Sequence, residues 1–226
     1  MLNILITGGS KGIGLFLKKK LKDKHNVFSL SRRNLKDKQH LKCDVSKPEQ
    51  VRRCIKKLNK IDILINNASI TKPNHFDVKS FDETIKTNLS SVYYCSHFAL
   101  DKLKKSKSPK IINISSINAY LAFPNNPSYV ASKGGVNALT RALALDYSKF
   151  KIRVNSVSLG YFKLGMSYKS YKNQKKNIER KNKTILNQWG DPIDIYYLIE
   201  YLISNRSNYI TGTDIKIDGG WTAKGL

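Results

Sequence analysis

The chain is short of acid. Its 226 residues hold 16 Asp and Glu against 41 Lys and Arg, a formal net charge of +25. Such a field attracts anions: nucleic acid, anionic membranes, phosphorylated ligands or an acidic carrier protein. The lysines are spread along the whole chain, and asparagine and isoleucine are abundant beside them. That pattern fits a bias of composition as well as a partner. No nucleic-acid module is recognisable, so only weak, salt-sensitive binding to polyanions is expected. Cysteine is scarce too. Cys43, Cys54 and Cys95 are an odd set without metal-type spacing, which argues against a disulfide framework and a metal site and for free thiols in a reducing cytoplasm. None has a histidine base in a readable motif, so a catalytic cysteine is not expected. No apolar run approaches the roughly 20 residues of a membrane span. The first apolar stretch begins at Leu2, so neither a signal peptide nor a transit sequence is expected.

What is present suits one domain, residues 1–226, with 40% hydrophobic residues to build a core. Leu2–Ile6, Val27–Leu30, His40–Cys43, Ile61–Ile65, Lys110–Ile114, Ile152–Val157 and Thr213–Ile217 read as strands. Helices are expected from Gly12 to about Asp23, from Pro48 through Leu58, from Phe81 to about Leu103, from Ser128 to Lys149 and after Asp191-Pro192. The gap between the second and third strands is too short for a crossover helix. Alternating strands and helices predict a doubly wound α/β fold, a mostly parallel Rossmann sheet with helices on both faces. Residues 161–190 should form a lid, and Tyr168–Lys183 in it is nearly without apolar periodicity.

Three motifs carry chemistry. Thr7-Gly8-Gly9-Ser10-Lys11-Gly12-Ile13-Gly14 follows the first strand and opens a helix. Gly8 permits a tight turn, Gly12 lets the backbone approach a pyrophosphate, and Gly14 lets the helix pack against the sheet. The free N–H groups of the helix start would face the phosphates. Asn113-Ile114-Ser115-Ser116 is a polar end to an apolar strand. Tyr129 and Lys133 stand four apart, on one face of a helix. A phenol beside an ammonium loses its proton more easily than a free one. Together the three features ask for a dinucleotide beside a proton-donating tyrosine, as in a nicotinamide-dependent carbonyl reductase or alcohol dehydrogenase. Arg32 and Arg33 follow Ser31 at the end of the second strand, where an acid would hold the 2′-hydroxyl of NAD. A guanidinium suits the 2′-phosphate of NADP, so NADP(H) is favoured over NAD(H), with Lys11 as a second cation. Asp44 could accept from the adenine amino group or cap the next helix.

In this order the pieces resemble the short-chain dehydrogenase/reductase family over essentially the full length. They are Thr7–Gly14, Asp44-Val45, Asn66-Asn67-Ala68, Asn88, Ser115-Ser116, Tyr129–Lys133, Asn155-Ser156-Val157 and Asp218-Gly219-Gly220. Within the family the chain is similar to the 3-oxoacyl-carrier-protein reductases in its tail, Tyr209-Ile210-Thr211-Gly212 followed by Asp218-Gly219-Gly220. Ser116 lies 129 − 116 = 13 residues before Tyr129, the spacing of the family's serine. The resemblance implies a catalytic tetrad of Asn88, Ser116, Tyr129 and Lys133. It implies cofactor contacts from Gly8, Ser10, Lys11, Gly12, Ile13, Gly14, Ser31, Arg32, Arg33, Asp44, Val45, Asn67, Ala68, Ser69, Tyr129 and Lys133. Two departures stand out: Ser69 replaces the usual glycine, and Leu159 the usual proline, which puts the shape of the nicotinamide-side loop in question.

The implied reaction is reduction of a carbonyl to an alcohol, or its reverse. Ser116 would hold the substrate oxygen and Tyr129 donate the proton. Lys133 would lower the tyrosine pKa and bind ribose, and Asn88 would act through its backbone and an ordered water. The substrate is a small carbonyl or alcohol. It is either a 3-oxoacyl thioester on an acidic carrier protein drawn to the basic lid, or a small polar or sugar-derived carbonyl. An NADP(H)-binding sensor is the alternative of another class, against which the intact tetrad argues. The resemblance also implies a homo-oligomer, tetramer or dimer, through the Phe81–Leu103 and Ser128–Lys149 helices and the last strand.

Overall fold

Ile4–Ile6 and Ile63–Ile65 are wholly shielded from solvent, as strands covered on both faces must be. They lie in β1 (Asn3–Thr7) and β4 (Ile63–Asn66). The other strands are β2 (Asn26–Ser31), β3 (His40–Lys42), β5 (Lys110–Ser116), β6 (Arg153–Leu159) and β7 (Asp214–Ile217). In this computed structural model, which describes residues 1–224, they form one sheet in the order β3-β2-β1-β4-β5-β6-β7. Every pairing is parallel.

Successive strand residues face opposite sides of a sheet, and that alternation sorts the core. Leu5, Leu64, Ile111 and Val154 join a cluster with the buried faces of α2 (Pro48–Lys56), α4 (Ser91–Leu103) and α5 (Pro127–Tyr147). Ile4, Ile6, Ile63, Ile65, Ile112 and Val157 join another with α1 (Gly12–Leu21) and α8 (Pro192–Ile203). Local signals set the helix starts. Pro48 opens α2, and the Asp191 carboxylate accepts from the Ile193 N–H at 2.9 Å ahead of α8. No helix lies between β2 and β3, as their spacing required. No described helix is long and apolar enough to cross a membrane.

One expectation needs correction. Phe81–Leu103 is not one helix. α3 (Val78–Ile85) begins earlier, behind Asp77, whose side chain accepts from the Ser80 N–H at 2.8 Å. A π-helical turn at Lys86–Ser90 then separates it from α4. Apolar spacing does not register a turn that shifts the backbone bonds by one residue. Tyr168–Lys183 is folded despite its poor periodicity, as α6 (Tyr168–Lys172) and α7 (Gln174–Asn182), neither of which buries a residue. β5 and β6 also run further than their apolar cores, because Ser115 pairs with Ser158 and Ser116 with Leu159.

From β1 the chain moves outward to β2, and from β4 it moves the other way to β5. The loops at the carboxyl ends of β1 and β4 therefore part and leave a crevice, the usual ligand position in such sheets.

Candidate active site

The crevice is a cleft of about 1370 Å³. One end is built by the turn after β1. Gly8 and Gly12 both adopt positive φ, +73° and +55°, where a side chain would be strained. A Cβ on Gly8 would also lie 2.9 Å from the Ala68 Cα, so the turn closes against the loop after β4. There the Asn67 and Ala68 N–H groups donate to Thr7 Oγ1 at 2.9 and 3.0 Å, and the Asn67 amide donates to the Thr7 carbonyl. Lys11 leads into α1 without a side-chain cap, and the first turn carries no acid. Its N–H groups are thus left for an anion. Arg32 and Arg33 are exposed along the cleft after β2. The acid of that loop, Asp37, is drawn to the nearly buried Lys18 amine at 2.5 Å, which pulls its pKa below the usual carboxylate value. The capless helix start and glycine turn can hold the phosphates of a dinucleotide, and the two exposed guanidinium groups lie along the same cleft. Asp44, also on the cleft, folds one carboxylate oxygen back onto the Ser46 N–H and hydroxyl, and it does not cap α2, which begins behind Lys47.

The other end holds Ser116, Tyr129 and Lys133, from the end of β5 and the first turns of α5. Ser115 and Ser116 both line the cleft, but the Ser115 hydroxyl is turned to the Lys133 carbonyl at 3.4 Å, whereas that of Ser116 bonds to Asn118 beside it. Lys133 is 3% exposed. Its amine donates to the Ile114 carbonyl at 2.8 Å and lies 5.5 Å from the centre of the Tyr129 ring. Burial without an acidic partner pushes its pKa down to about 8. Burial pushes the Tyr129 phenol up, while the Ser116 and Ser69 hydroxyls act the other way by favouring the phenolate. The expected lowering by Lys133 does not appear: burial sets the direction, and Lys133 is not among the groups that act on the phenol in the protein alone. Ser69 replaces the expected glycine with a buried hydroxyl that has no hydrogen-bond partner of ordinary geometry. Leu159 continues β6 without distortion.

Ser10, Ile13, Ser31, Val45, Asn67, Ala68 and Ser69 line the cleft with the residues above, but two expected site residues do not. Gly14 is buried behind the loop, where its Cβ would come 2.4 Å from the Gly8 carbonyl oxygen. It packs on the turn and Asn67 rather than on the sheet. Asn88 sits in the π turn. Its side-chain oxygen accepts from the Ile70 N–H at 2.8 Å, and its amide donates to the Ile70 carbonyl at 2.9 Å and to Ser132 Oγ at 3.1 Å. Here the side chain pins the loop after β4 to α5. Sequence reasoning missed Thr7 and Ser132 as the partners in these links, and Arg180 of α7 at the cleft. Thr7 and Ser132 lay within named motifs, Thr7–Gly14 and Tyr129–Lys133, but with no role assigned to them.

The sequence model of a family described as enoyl-(acyl carrier protein) reductase matches residues 12–222. The 3-oxoacyl-(acyl-carrier-protein) reductase FabG of Rickettsia bellii (strain RML369-C) is 33% identical over 96% of this chain and 95% of its own. The 2-dehydro-3-deoxy-D-gluconate 5-dehydrogenase of Escherichia coli (strain K12) is 30% identical over 97% and 88%. Among solved structures, 4-hydroxyisoleucine dehydrogenase with NADH superposes with a TM-score of 0.91 at 32% identity, covering 100% of both chains. A gluconate 5-dehydrogenase from Burkholderia cenocepacia J2315 with NADP and tartrate gives 0.91 at 25% identity over 99% and 96%. With the parallel sheet, the glycine turn and the serine, tyrosine and lysine in one cleft, these likenesses establish that the chain belongs to the short-chain dehydrogenase/reductase family, nicotinamide-dependent oxidoreductases of alcohols and carbonyls.

Proposed function

We propose that the protein reduces a carbonyl to an alcohol, or runs the reverse, with NADP(H). The observation that carries this is the single cleft joining the glycine turn and Arg32-Arg33 to Ser116, Tyr129 and Lys133. Gly8, Ser10, Gly12, Ile13, Asn67 and Ala68 would hold the dinucleotide backbone, and Arg32 and Arg33 its ribose phosphate. When bound, the nicotinamide supplies the hydride.

Ser116, whose hydroxyl donates to Asn118 Oδ1 at 3.1 Å in the protein alone, turns to hold the substrate oxygen, a donor worth about 3 kcal/mol in related sites. Tyr129 gives its phenolic proton to that oxygen as negative charge develops there. Its raised pKa keeps the proton in place at neutral pH, as the reductive direction needs. With a pKa of about 8, Lys133 is still largely protonated at pH 7 and steadies the phenolate left behind. Asn88 positions rather than reacts. It fixes Ile70, beside Ser69, and through Ser132 it fixes the start of α5.

Two substrate classes have support. A 3-oxoacyl thioester on an acidic carrier protein suits the FabG relative and the exposed Lys163, Lys169 and Lys176 at the cleft. A sugar-derived carbonyl suits the gluconate-type relative. Association through α4, α5 and β7, with the half-exposed Tyr93 on the outer face of α4, belongs to the same reading. So does a cytoplasmic site of action, in keeping with three free thiols.

The test is NADPH oxidation, with NADH in parallel, against acetoacetyl thioesters and keto sugars. Tyr129→Phe should lose about 10²- to 10⁴-fold in turnover while still binding NADPH. A variant as active as the parent would remove Tyr129 as the proton donor.

A further inference from the structure

α7 contributes an arginine to the cleft with one buried N–H left unpartnered. Arg180, near the end of α7, lines the same cleft as Ser116 and Tyr129. Its guanidinium lies 5.0 Å from the centre of the Tyr161 ring and 6.0 Å from that of Trp221. Those two rings stack on each other at 5.0 Å, and Trp189 meets the edge of Tyr161 at 5.6 Å. A guanidinium laid on aromatic faces keeps its plane fixed and its N–H fork free. Arg180 Nε is buried and has no hydrogen-bond partner. The facing acid is Glu179, 3.3 Å from Nη1 and half exposed, so its charge is spent mainly on water. Along the cleft the basic side chains, Lys163, Lys169, Lys176 and Arg180 among them, outnumber the acids Asp44 and Glu179. Tyr161 is close enough to both Tyr129 and Arg180 for their charges to act on one another.

Resting on the oxidoreductase reading above, we propose that Arg180 anchors the carboxylate of the substrate, so that the protein acts on a small free keto or hydroxy acid rather than on a carrier-bound thioester. A planar fork with one N–H unsatisfied matches the two oxygens of a carboxylate. An acyl thioester offers no charge at the corresponding place. The alkyl-and-aromatic wall of Tyr161 would lie along the carbon chain between carboxylate and carbonyl.

The test pairs 5-ketogluconate with its neutral amide, and acetoacetyl thioester as the competing class. Wild type should favour the acid over the amide. Arg180→Gln should lower kcat/KM for the acid by about 10- to 100-fold, mainly through KM, and that for the amide by less than about threefold. Arg180→Lys should recover part of the loss, since it restores charge without the fork. Glu179→Gln removes the competing carboxylate and should lower KM for the acid. NADPH affinity should be unchanged in all three. Equal losses on acid and amide would make Arg180 a packing residue. A fall in NADPH affinity instead would assign it to the cofactor, and faster turnover of the thioester than of any acid would favour the carrier-bound class. Each outcome overturns the proposal. Calorimetric binding of gluconate to the NADPH complex reads the anchor without turnover. Gluconate binding that Arg180→Gln weakens, in a protein that turns over no carbonyl, would support the anchor while rejecting the proposed reaction. No difference between parent and variant there would reject the anchor itself.

Discussion

Replacing Gly134 or Gly135 with alanine separates helix propensity from packing at one point in α5, directly after Lys133. Inside a helix glycine costs about 0.8–1 kcal/mol relative to alanine. A Cβ on Gly134 meets nothing within 4 Å, whereas one on Gly135 lies 2.7 Å from Leu89 Cδ2 and 3.2 Å from Cδ1. Gly134→Ala should therefore stabilise by about 0.5–1 kcal/mol, chiefly by restricting the unfolded chain. For a protein of this size that is a rise in Tm of roughly 1–4 °C. Gly135→Ala collects the same gain against about 1–3 kcal/mol of overpacking. The net is a loss between nearly zero and about 2.5 kcal/mol. Leu89 belongs to the π turn that carries Asn88, so its displacement should also lower turnover. Gly134→Ala should leave turnover alone. Calorimetric melts of the parent and both variants, with NADPH oxidation beside them, make the comparison. The reasoning is refuted if Gly134→Ala melts more than about 2 °C below the parent, or if the two variants shift equally.

The other predictions concern charge and support. Arg32→Ala combined with Arg33→Ala should raise KM for NADPH by about 10- to 100-fold and leave NADH nearly unchanged. Parallel losses on both cofactors would deny the pair a ribose phosphate. Lys133→Met should abolish turnover yet stabilise the fold at pH 7 by about 1–2 kcal/mol, the cost of charging a buried amine less its bond to Ile114. The sign follows from proton counts. Between pH 8 and 10.5 the unfolded chain holds the Lys133 proton and the folded chain does not, so the parent gains stability as pH rises. Denaturant unfolding at pH 7 and pH 10 should thus show the advantage of the variant shrinking. Asn88→Ala leaves the Ile70 N–H and carbonyl without their partners, and should cost about 1–3 kcal/mol with a lower kcat. A melt unchanged from the parent would mean that the loop is held by other contacts.

Sequence alone determined the sheet and much of the site, because both rest on local patterns. Ile4–Ile6 and Ile63–Ile65 announce strands covered on both faces, and the Gly8–Gly14 spacing announces a turn into a helix start. The four-residue step from Tyr129 to Lys133 places both at the start of one helix. Tertiary structure decided what depends on residues far apart in the chain. The π turn at Asn88 leaves no trace in apolar spacing, and only the fold shows that its amide holds Ile70 and Ser132. Gly14 looked like a cofactor contact until the Gly8 carbonyl was found against it. The sequence placed a lysine beside a tyrosine, but whether the phenol moved up or down depended on how much water each lost on burial. Arg180 stood in a lysine-rich stretch with no period to mark it. Only the packing of α7 over Tyr161 and Trp221 brings it into the cleft, and its chemistry comes from aromatic rings 19 and 41 positions away in the chain (180 − 161 and 221 − 180).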